Sequence, residues 1–175
     1  MKYSKVFLDG LAYELAANVV TTSALEKRIE PVYNALRFPL GQLEALTGIR
    51  ERRWWGQGFK LRDGAIKAGG KALAQSRVKA AQIGALVYAG VCRDGSEPAT
   101  ACAVAAALGV ARDCAVYDVS NACLGVLSGI ADVANRIELG QIKAGLVVSC
   151  ESAREINESM IESMLRKPTM EHFKL

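Results

Sequence analysis

The sequence predicts an α/β domain built on a mainly parallel, buried sheet. Two observations carry that expectation. Short runs dense in Val, Ile, Leu and Ala, such as Ile83 to Val91 and Ala144-Gly145-Leu146-Val147-Val148-Ser149, alternate with stretches whose apolar residues recur at helical spacing. The strand-like runs are also apolar almost throughout, as expected of strands covered on both faces. At 175 residues the chain is long enough for one domain with a real core.

In chain order, Lys5-Val6-Phe7-Leu8-Asp9-Gly10-Leu11 reads as a first strand. Thr22 or Ser23 is placed to cap a helix through Leu25, Ile29, Val32 and Leu36. Glu26, three residues after Ser23, completes a capping box, and Pro31 bends or divides the helix. A short helix from Leu40 to Leu46 ends at Gly48. Ile49 to Trp55 then leads into a Gly-containing loop. Asp63 caps a helix carrying Ala65, Ile66, Ala68 and Leu73. After the strand at 83–91, Arg93-Asp94-Gly95-Ser96-Glu97-Pro98 forms a turn, with Pro98 near the start of a helix from Ala99 to Leu108. Cys114 to Val119 is the next strand, and Leu124, Leu127, Ile130, Ala131, Ala134 and Ile137 mark a helix ending at Gly140. This helix reads as apolar nearly all round, so cover on every side is expected. Gly125 and Gly129 would admit another backbone closely. After the strand at 144–149, a last helix places Glu155, Glu158 and Glu162 on one face, with Met160, Ile161 and Met164 near the other.

Composition excludes several classes. A net charge of +4 does not by itself indicate nucleic acid, and no apolar run reaches the length of a membrane span without a charged or strongly polar residue. Met1-Lys2-Tyr3-Ser4-Lys5 leads into a strand and not a signal-peptide core, so a cytoplasmic location is the expectation. The five cysteines are odd in number and lack CxxC spacing, which supports neither a disulfide framework nor a zinc site. His172 has no ligand-spaced partner and reads as a surface residue.

The chemistry centres on Tyr117-Asp118-Val119-Ser120-Asn121-Ala122-Cys123-Leu124-Gly125. A cysteine on a tight strand-to-helix turn meets free N–H groups and the positive end of a helix dipole, which favour a thiolate. The same donors can stabilise an oxyanion when sulfur attacks a carbonyl. A buried structural cysteine is the alternative, and spacing alone leaves both readings open.

Three segments resemble the thiolase-fold condensing enzymes of the 3-oxoacyl-acyl-carrier-protein synthase III type. They are Thr47-Gly48-Ile49-Arg50-Glu51-Arg52, Asp118 to Gly125, and Ile142 to Ser149 followed by Glu151. Their order and spacing fit the N-terminal half of such an enzyme across nearly the whole chain. The resemblance implies a thiolase-like layered fold with a buried central helix, of which residues 1–175 are the N-terminal half. It implies that Cys123 takes an acyl group from a thioester. The family's catalytic His and Asn belong to the second half, and no residue here matches them; His172 is not a substitute. The same resemblance implies a homodimer or a second chain completing the fold.

Glu97 directly precedes Pro98, where fatty-acid-initiating synthases of this group tend to carry Phe. That departure resembles the head-to-head condensing enzymes of long-chain olefin biosynthesis, in which this Glu acts as a base across the dimer. Abstraction of an α-proton from a thioester suits a positioned carboxylate. The plainer reading is a carboxylate favoured at a helix start.

From Arg50 to Lys79 there are nine Lys or Arg against Glu51 and Asp63. This basic segment, with Arg50 and Arg52 in the matching motif, suits coenzyme A phosphates or the acidic surface of an acyl carrier protein. Solvated helix faces are the plainer reading, especially for Lys67 and Lys71. Trp54-Trp55 invites a nucleic-acid stacking reading that no motif supports. The family's coenzyme-A-stacking Trp is absent, with Gln42 near its place. No tightly bound cofactor or metal is expected; coenzyme A or acyl carrier protein thioesters are the implied substrates. Condensation, simple acyl transfer or hydrolysis, and a non-catalytic half that binds a partner remain the alternatives.

Overall fold

The computed structural model describes residues 2–166. Its elements, in order, are β1 (Asn18–Thr21), α1 (Thr22–Arg28), α2 (Glu30–Leu36), α3 (Gln42–Thr47), β2 (Glu51–Trp54), α4 (Leu61–Gln75), β3 (Ala85–Ala89), α5 (Thr100–Leu108), β4 (Ala115–Val119), α6 (Gly125–Glu138), β5 (Gly145–Val148) and α7 (Arg154–Arg166). They divide into two compact units, one from residues 2–14 and 58–151, the other from 15–57 and 152–166.

The first unit holds a parallel three-stranded sheet in the order β4-β3-β5. Ala85 pairs with Ala115 on one side and Gly145 on the other, so the three strands start in step. Every residue of β3 is buried, which explains its uninterrupted apolar run. Successive side chains alternate between faces. Ala85, Val87 and Ala89 pack with Val133 and Ile137 of α6. The opposite face belongs to α4 and α5: a Cβ on Gly69 would meet Val148 at 3.0 Å and Leu108 at 3.1 Å.

Within this chain helix α6 is covered on one side only. Its buried residues are Gly125, Gly129, Val133 and Ala134, which form the sheet-facing stripe. A Cβ on Gly129 would lie 3.1 Å from a side-chain carbon of Val147, so the close approach here is to sheet side chains; only Gly125 faces another backbone, that of Ala89 and Gly90. The other side is not covered: Leu124 is 56 % and Leu127 62 % exposed. Apolar character all round the helix therefore marks one side covered by the sheet and another bare within this chain.

The expected strand at 5–11 is not formed; these residues carry no regular secondary structure. A strand needs a partner to satisfy its backbone, and among the described residues β5 pairs only with β3. Phe7 and Leu11 instead line an apolar cavity of about 390 Å³ together with Ala68, Ile130 and Val147. Polar anchors hold the segment in place. The Glu138 carboxylate accepts N–H bonds from Ser4 at 3.0 Å and Lys5 at 2.9 Å, Asp9 pairs with Arg77 at 2.7 Å, and Lys71 with Glu14.

In the second unit, β1 and β2 form an antiparallel pair, Asn18 opposite Trp54 and Thr21 opposite Glu51. Both strands are four residues long, and the arginines of β2 obscured it in the sequence. Thr21 is the cap of α1, accepting the Ala24 N–H at 3.1 Å, in place of Thr22 or Ser23. The helix divides at Ile29, with Pro31 in the first turn of α2, as its missing N–H permits. Glu26 makes no capping box. It is buried and accepts the Gly41 and Leu43 N–H groups, each at 2.7 Å, with the Tyr33 hydroxyl at 3.3 Å. Burial, with Glu26 beside it, pushes the Tyr33 hydroxyl up to about 12. Ile29, Val32, Tyr33 and Ile161 form this unit's core, so α7 contributes through its Ile161 face.

Two outcomes follow from these contacts. Glu26→Ala leaves two N–H groups and a hydroxyl without their acceptor, and should lower unfolding stability by about 3 kcal/mol in urea titration. Side-chain and backbone donors from Ser4 and Lys5 hold Glu138 below the usual glutamate range, and Arg77 does the same for Asp9. A carboxylate depressed in the folded state stabilises it above its unfolded pKa and loses that contribution as pH falls. Amide protection of Ser4 and Lys5, corrected for intrinsic exchange, should therefore fall on acidification through and below the ordinary carboxylate range.

Candidate active site

Parallel strands end together, so β3, β4 and β5 deliver three loops to one edge of the sheet. In open α/β sheets ligands bind outside the carboxyl ends of the strands. Two of the four candidate residues arrive there: the loop after β3 carries Glu97, and the turn after β4 carries Cys123. Arg50 and Arg52 belong to the second unit.

The turn after β4 is closed by its own backbone. The Leu124 N–H donates to the Asn121 carbonyl at 2.9 Å and the Gly125 N–H to the Ala122 carbonyl at 3.2 Å. Asn121 Nδ2 donates to Ser128 Oγ at 2.9 Å, tying the turn to the first turns of α6. Ala122 is left-handed, with φ 44°. That conformation costs a residue with a Cβ about 1–2 kcal/mol, and such strain concentrates at functional positions. Cys123 lies just before Leu124, the cap residue of α6, one step earlier than a place inside the first helical turn. Its side chain is exposed within this chain. At Gly125 the turn abuts the loop after β3: a Cβ there would sit in ordinary contact, 3.6 Å from the Gly90 nitrogen.

Below the turn, Tyr117 donates its hydroxyl to Asp132, and Arg136 lies 5.2 Å over the Tyr117 ring. Burial first, and the adjoining Asp132 carboxylate second, push the Tyr117 hydroxyl up to about 12. These contacts bind β4 to α6.

Glu97 is exposed, and its bond to Pro98 is cis. Asp118 performs the capping that a carboxylate at this helix start would otherwise supply. It accepts the Thr100 and Ala101 N–H groups at 2.9 Å each and also pairs with Arg93 at 3.2 Å. Asp94 likewise caps α4, accepting from Leu61 at 2.7 Å and Arg62 at 3.2 Å, where Asp63 was expected. Glu97 is thus spared both duties.

In the second unit, Arg50 is exposed, with Glu44 at 3.5 Å. Arg52 donates to the Thr22 hydroxyl at 3.0 Å, while its other terminal nitrogen is buried without a hydrogen-bond partner among the described residues. Elsewhere in the basic run, Lys71 and Arg77 are engaged by Glu14 and Asp9. His172 lies outside the described residues. Among the described residues, no three His, Cys, Asp or Glu side chains gather as a metal site would require, and no helix is long and apolar enough to cross a membrane.

Residues 57–174 match the thiolase N-terminal domain. This chain belongs to the thiolase family. Over 173 residues it is 64% identical to an acyl-CoA:acyl-CoA alkyltransferase of Shewanella oneidensis, covering 99% of this chain and 50% of that protein. A cysteine-to-serine variant of Xanthomonas campestris OleA, solved with bound lauric acid and lauroyl-CoA, superposes with a TM-score of 0.91 at 34% identity, covering 97% of this chain and 50% of that one. The 3-oxoacyl-(acyl carrier protein) synthase III of Xanthomonas oryzae gives 0.89 at 36% identity, covering 94% and 49%. The chain spans about half the length of the curated relatives it matches. Thiolase membership accounts for the layered α/β plan and for its agreement with half of each longer enzyme.

Sequence reasoning gave no scaffold role to Ala122, Asp118, Tyr88, Gly90 or Glu151, although Asp118, Ala122 and Glu151 stood in its motifs. Two of them left a trace. Asp118 is a lone carboxylate within an apolar strand, and Glu151 closes another such run. A carboxylate in such a place is costly without donors, so each implied N–H groups nearby.

Alkylation of the native protein checks the exposures. Iodoacetamide followed by peptide mass mapping should modify the exposed Cys102 and Cys123 first. The buried Cys150 should be spared, and Cys114, whose thiol burial pushes up, should react slowly.

Proposed function

We propose that this chain is the N-terminal half of a condensing acyltransferase of the thiolase family, joining two acyl thioesters head to head. One observation carries the reading: an exposed cysteine on a strained left-handed turn at the start of α6, beside a loop whose glutamate is spared from capping. The family relation supports it. The Shewanella and Xanthomonas relatives bear the name acyl-CoA:acyl-CoA alkyltransferase. The cysteine and the glutamate altered in solved OleA variants are separated by the same number of residues as Cys123 and Glu97 here.

In the proposed reaction the Cys123 thiolate attacks the carbonyl of a first acyl thioester, and coenzyme A leaves as its thiol after taking a proton. Backbone N–H groups at the start of α6 suit the oxyanion formed on the way. A second acyl thioester gives its α-proton to the Glu97 carboxylate of a neighbouring subunit. The carbanion attacks the acyl-cysteine carbonyl and expels the Cys123 thiolate. The product is a β-keto acyl thioester, or the acid its hydrolysis yields. Arg50 and Arg52 are assigned to the phosphates of coenzyme A, or to an acyl carrier protein that delivers the chain. The catalytic His and Asn come from the second half of the fold, on the same polypeptide or another. We assign the work to the cytoplasm, to a homodimer, and to lipid metabolism.

A second reading is favoured by the bare apolar side of α6 and the unpaired edge of β5: a half whose own contribution is assembly with a partner polypeptide. Copurification of a second chain together with no acyl mass gained at Cys123 distinguishes it.

Incubation with a long-chain acyl-coenzyme A should add one acyl mass to the wild type and none to Cys123→Ala. A shift that persists in Cys123→Ala removes the sulfur from its role. In the full-length enzyme, mixed dimers of Glu97→Ala and Cys123→Ala subunits should regain condensation; verified mixed dimers without activity argue against a base acting across the interface.

A further inference from the structure

Glu151 follows the end of β5, and the role proposed for Cys123 and Glu97 leaves it unused. Its two carboxylate oxygens accept successive backbone donors from the loop after β3: the Val91 N–H at 2.6 Å and the Cys92 N–H at 3.0 Å. The fully buried Tyr88 reinforces the junction, its hydroxyl lying 2.6 Å from the Cys150 carbonyl and 2.9 Å from that of Cys92. Gly90 is enclosed between these groups and the cysteine turn. Its N–H donates to the Val119 carbonyl at 3.2 Å. A Cβ on Gly90 would come within 2.6 Å of a Glu151 oxygen, while one on Gly125 would stand 3.6 Å from the Gly90 nitrogen. The backbone from Gly90 to Cys92 is thus held by Glu151 and also abuts the end of β4 and the start of α6. Arg93 and Asp94 continue the fixation through Asp118 and the α4 cap, and Glu97 stands three residues further on.

We infer that Glu151 is a positioning residue: by gripping the Val91 and Cys92 amides it sets the root of the Glu97 loop against the seat of the Cys123 turn. This rests on the roles proposed above for those two residues. Hydrogen bonds from neutral N–H groups to an ionised carboxylate are among the stronger ones available, and two adjacent donors fix direction as well as distance. Glu151→Gln keeps the shape but presents an NH2 group to one of the two amides, so the loop must shift. A displacement on the order of 1 Å can cost about 100-fold in rate when the reacting groups are otherwise intact.

The test uses the full-length enzyme with acyl-coenzyme A and its α-deuterated form. Glu151→Gln should acylate Cys123 to the wild-type stoichiometry by mass, yet condense about 100-fold more slowly. Its α-deuterium isotope effect should rise as proton removal becomes limiting, and Glu151→Asp, which retains both acceptors, should recover part of the rate. Gly90→Ala crowds the same carboxylate from the other side, so it should give the same pattern and serves as the readout if Glu151→Gln fails to fold. Unchanged condensation and isotope effect overturn the inference. So does a loss of acylation stoichiometry in step with condensation, which reports folding alone. Glu97→Gln in parallel separates the two claims. If it slows condensation while both Glu151→Gln and Gly90→Ala leave it unchanged, only the present inference falls; if Glu97→Gln is without effect, the base assignment falls and takes this inference with it.

Discussion

The five residues of β3 are at most 1 % exposed and bond in parallel to a strand on each side. A parallel strand in the centre of a sheet has its backbone satisfied laterally and its side chains covered above and below, so it has little freedom to slide. Because the neighbouring strands start in step with it, they also finish within a residue or so of one another. That shared finish brings the loop of Glu97, the turn of Cys123 and the carboxylate of Glu151 to one edge. None of the three could be arranged by local sequence alone.

Carboxylates then do the local fixing. Asp94 caps α4, Asp118 caps α5, and Glu151 seals the junction between the loop after β3 and the end of β5. Each accepts backbone N–H groups that would otherwise be unpaired at a helix start or a strand end. In the other unit Glu26 plays the same part for the backbone at Gly41 and Leu43. The fold thus uses long-range acceptors, from residues distant in sequence, where short-range caps were the natural guess.

That pattern explains what could be read from the chain and what could not. The strands at 85–89, 115–119 and 145–148 were legible because apolar runs of that length have few other outcomes, and the turn at Cys123 because a strand pattern changes abruptly into a helical one. Asp63 and Glu26 were misjudged because a local cap was assumed, whereas Asp94 and Glu26 accept from Leu61 and Gly41 across loops; Ser23 was misplaced by two residues, the cap being Thr21. The strand expected at 5–11 failed for a related reason: its residues have strand character, but strand formation depends on a neighbouring edge. The β1–β2 pair was missed because Arg52 and Arg53 make a short edge strand look like loop. The family resemblance read from three segments agrees with the thiolase match, while Cys123 and Glu97 remain roles to be tested by chemistry.

The uncovered side of α6, together with Phe7, Leu8 and Leu11, has a consequence for the life of the polypeptide. A ribbon of hydrocarbon facing water attracts other such ribbons as readily as its proper mate. Produced by itself, this stretch of protein would be prone to clumping and to capture by chaperones. Its yield would then depend on that ribbon being covered as much as on its own folding.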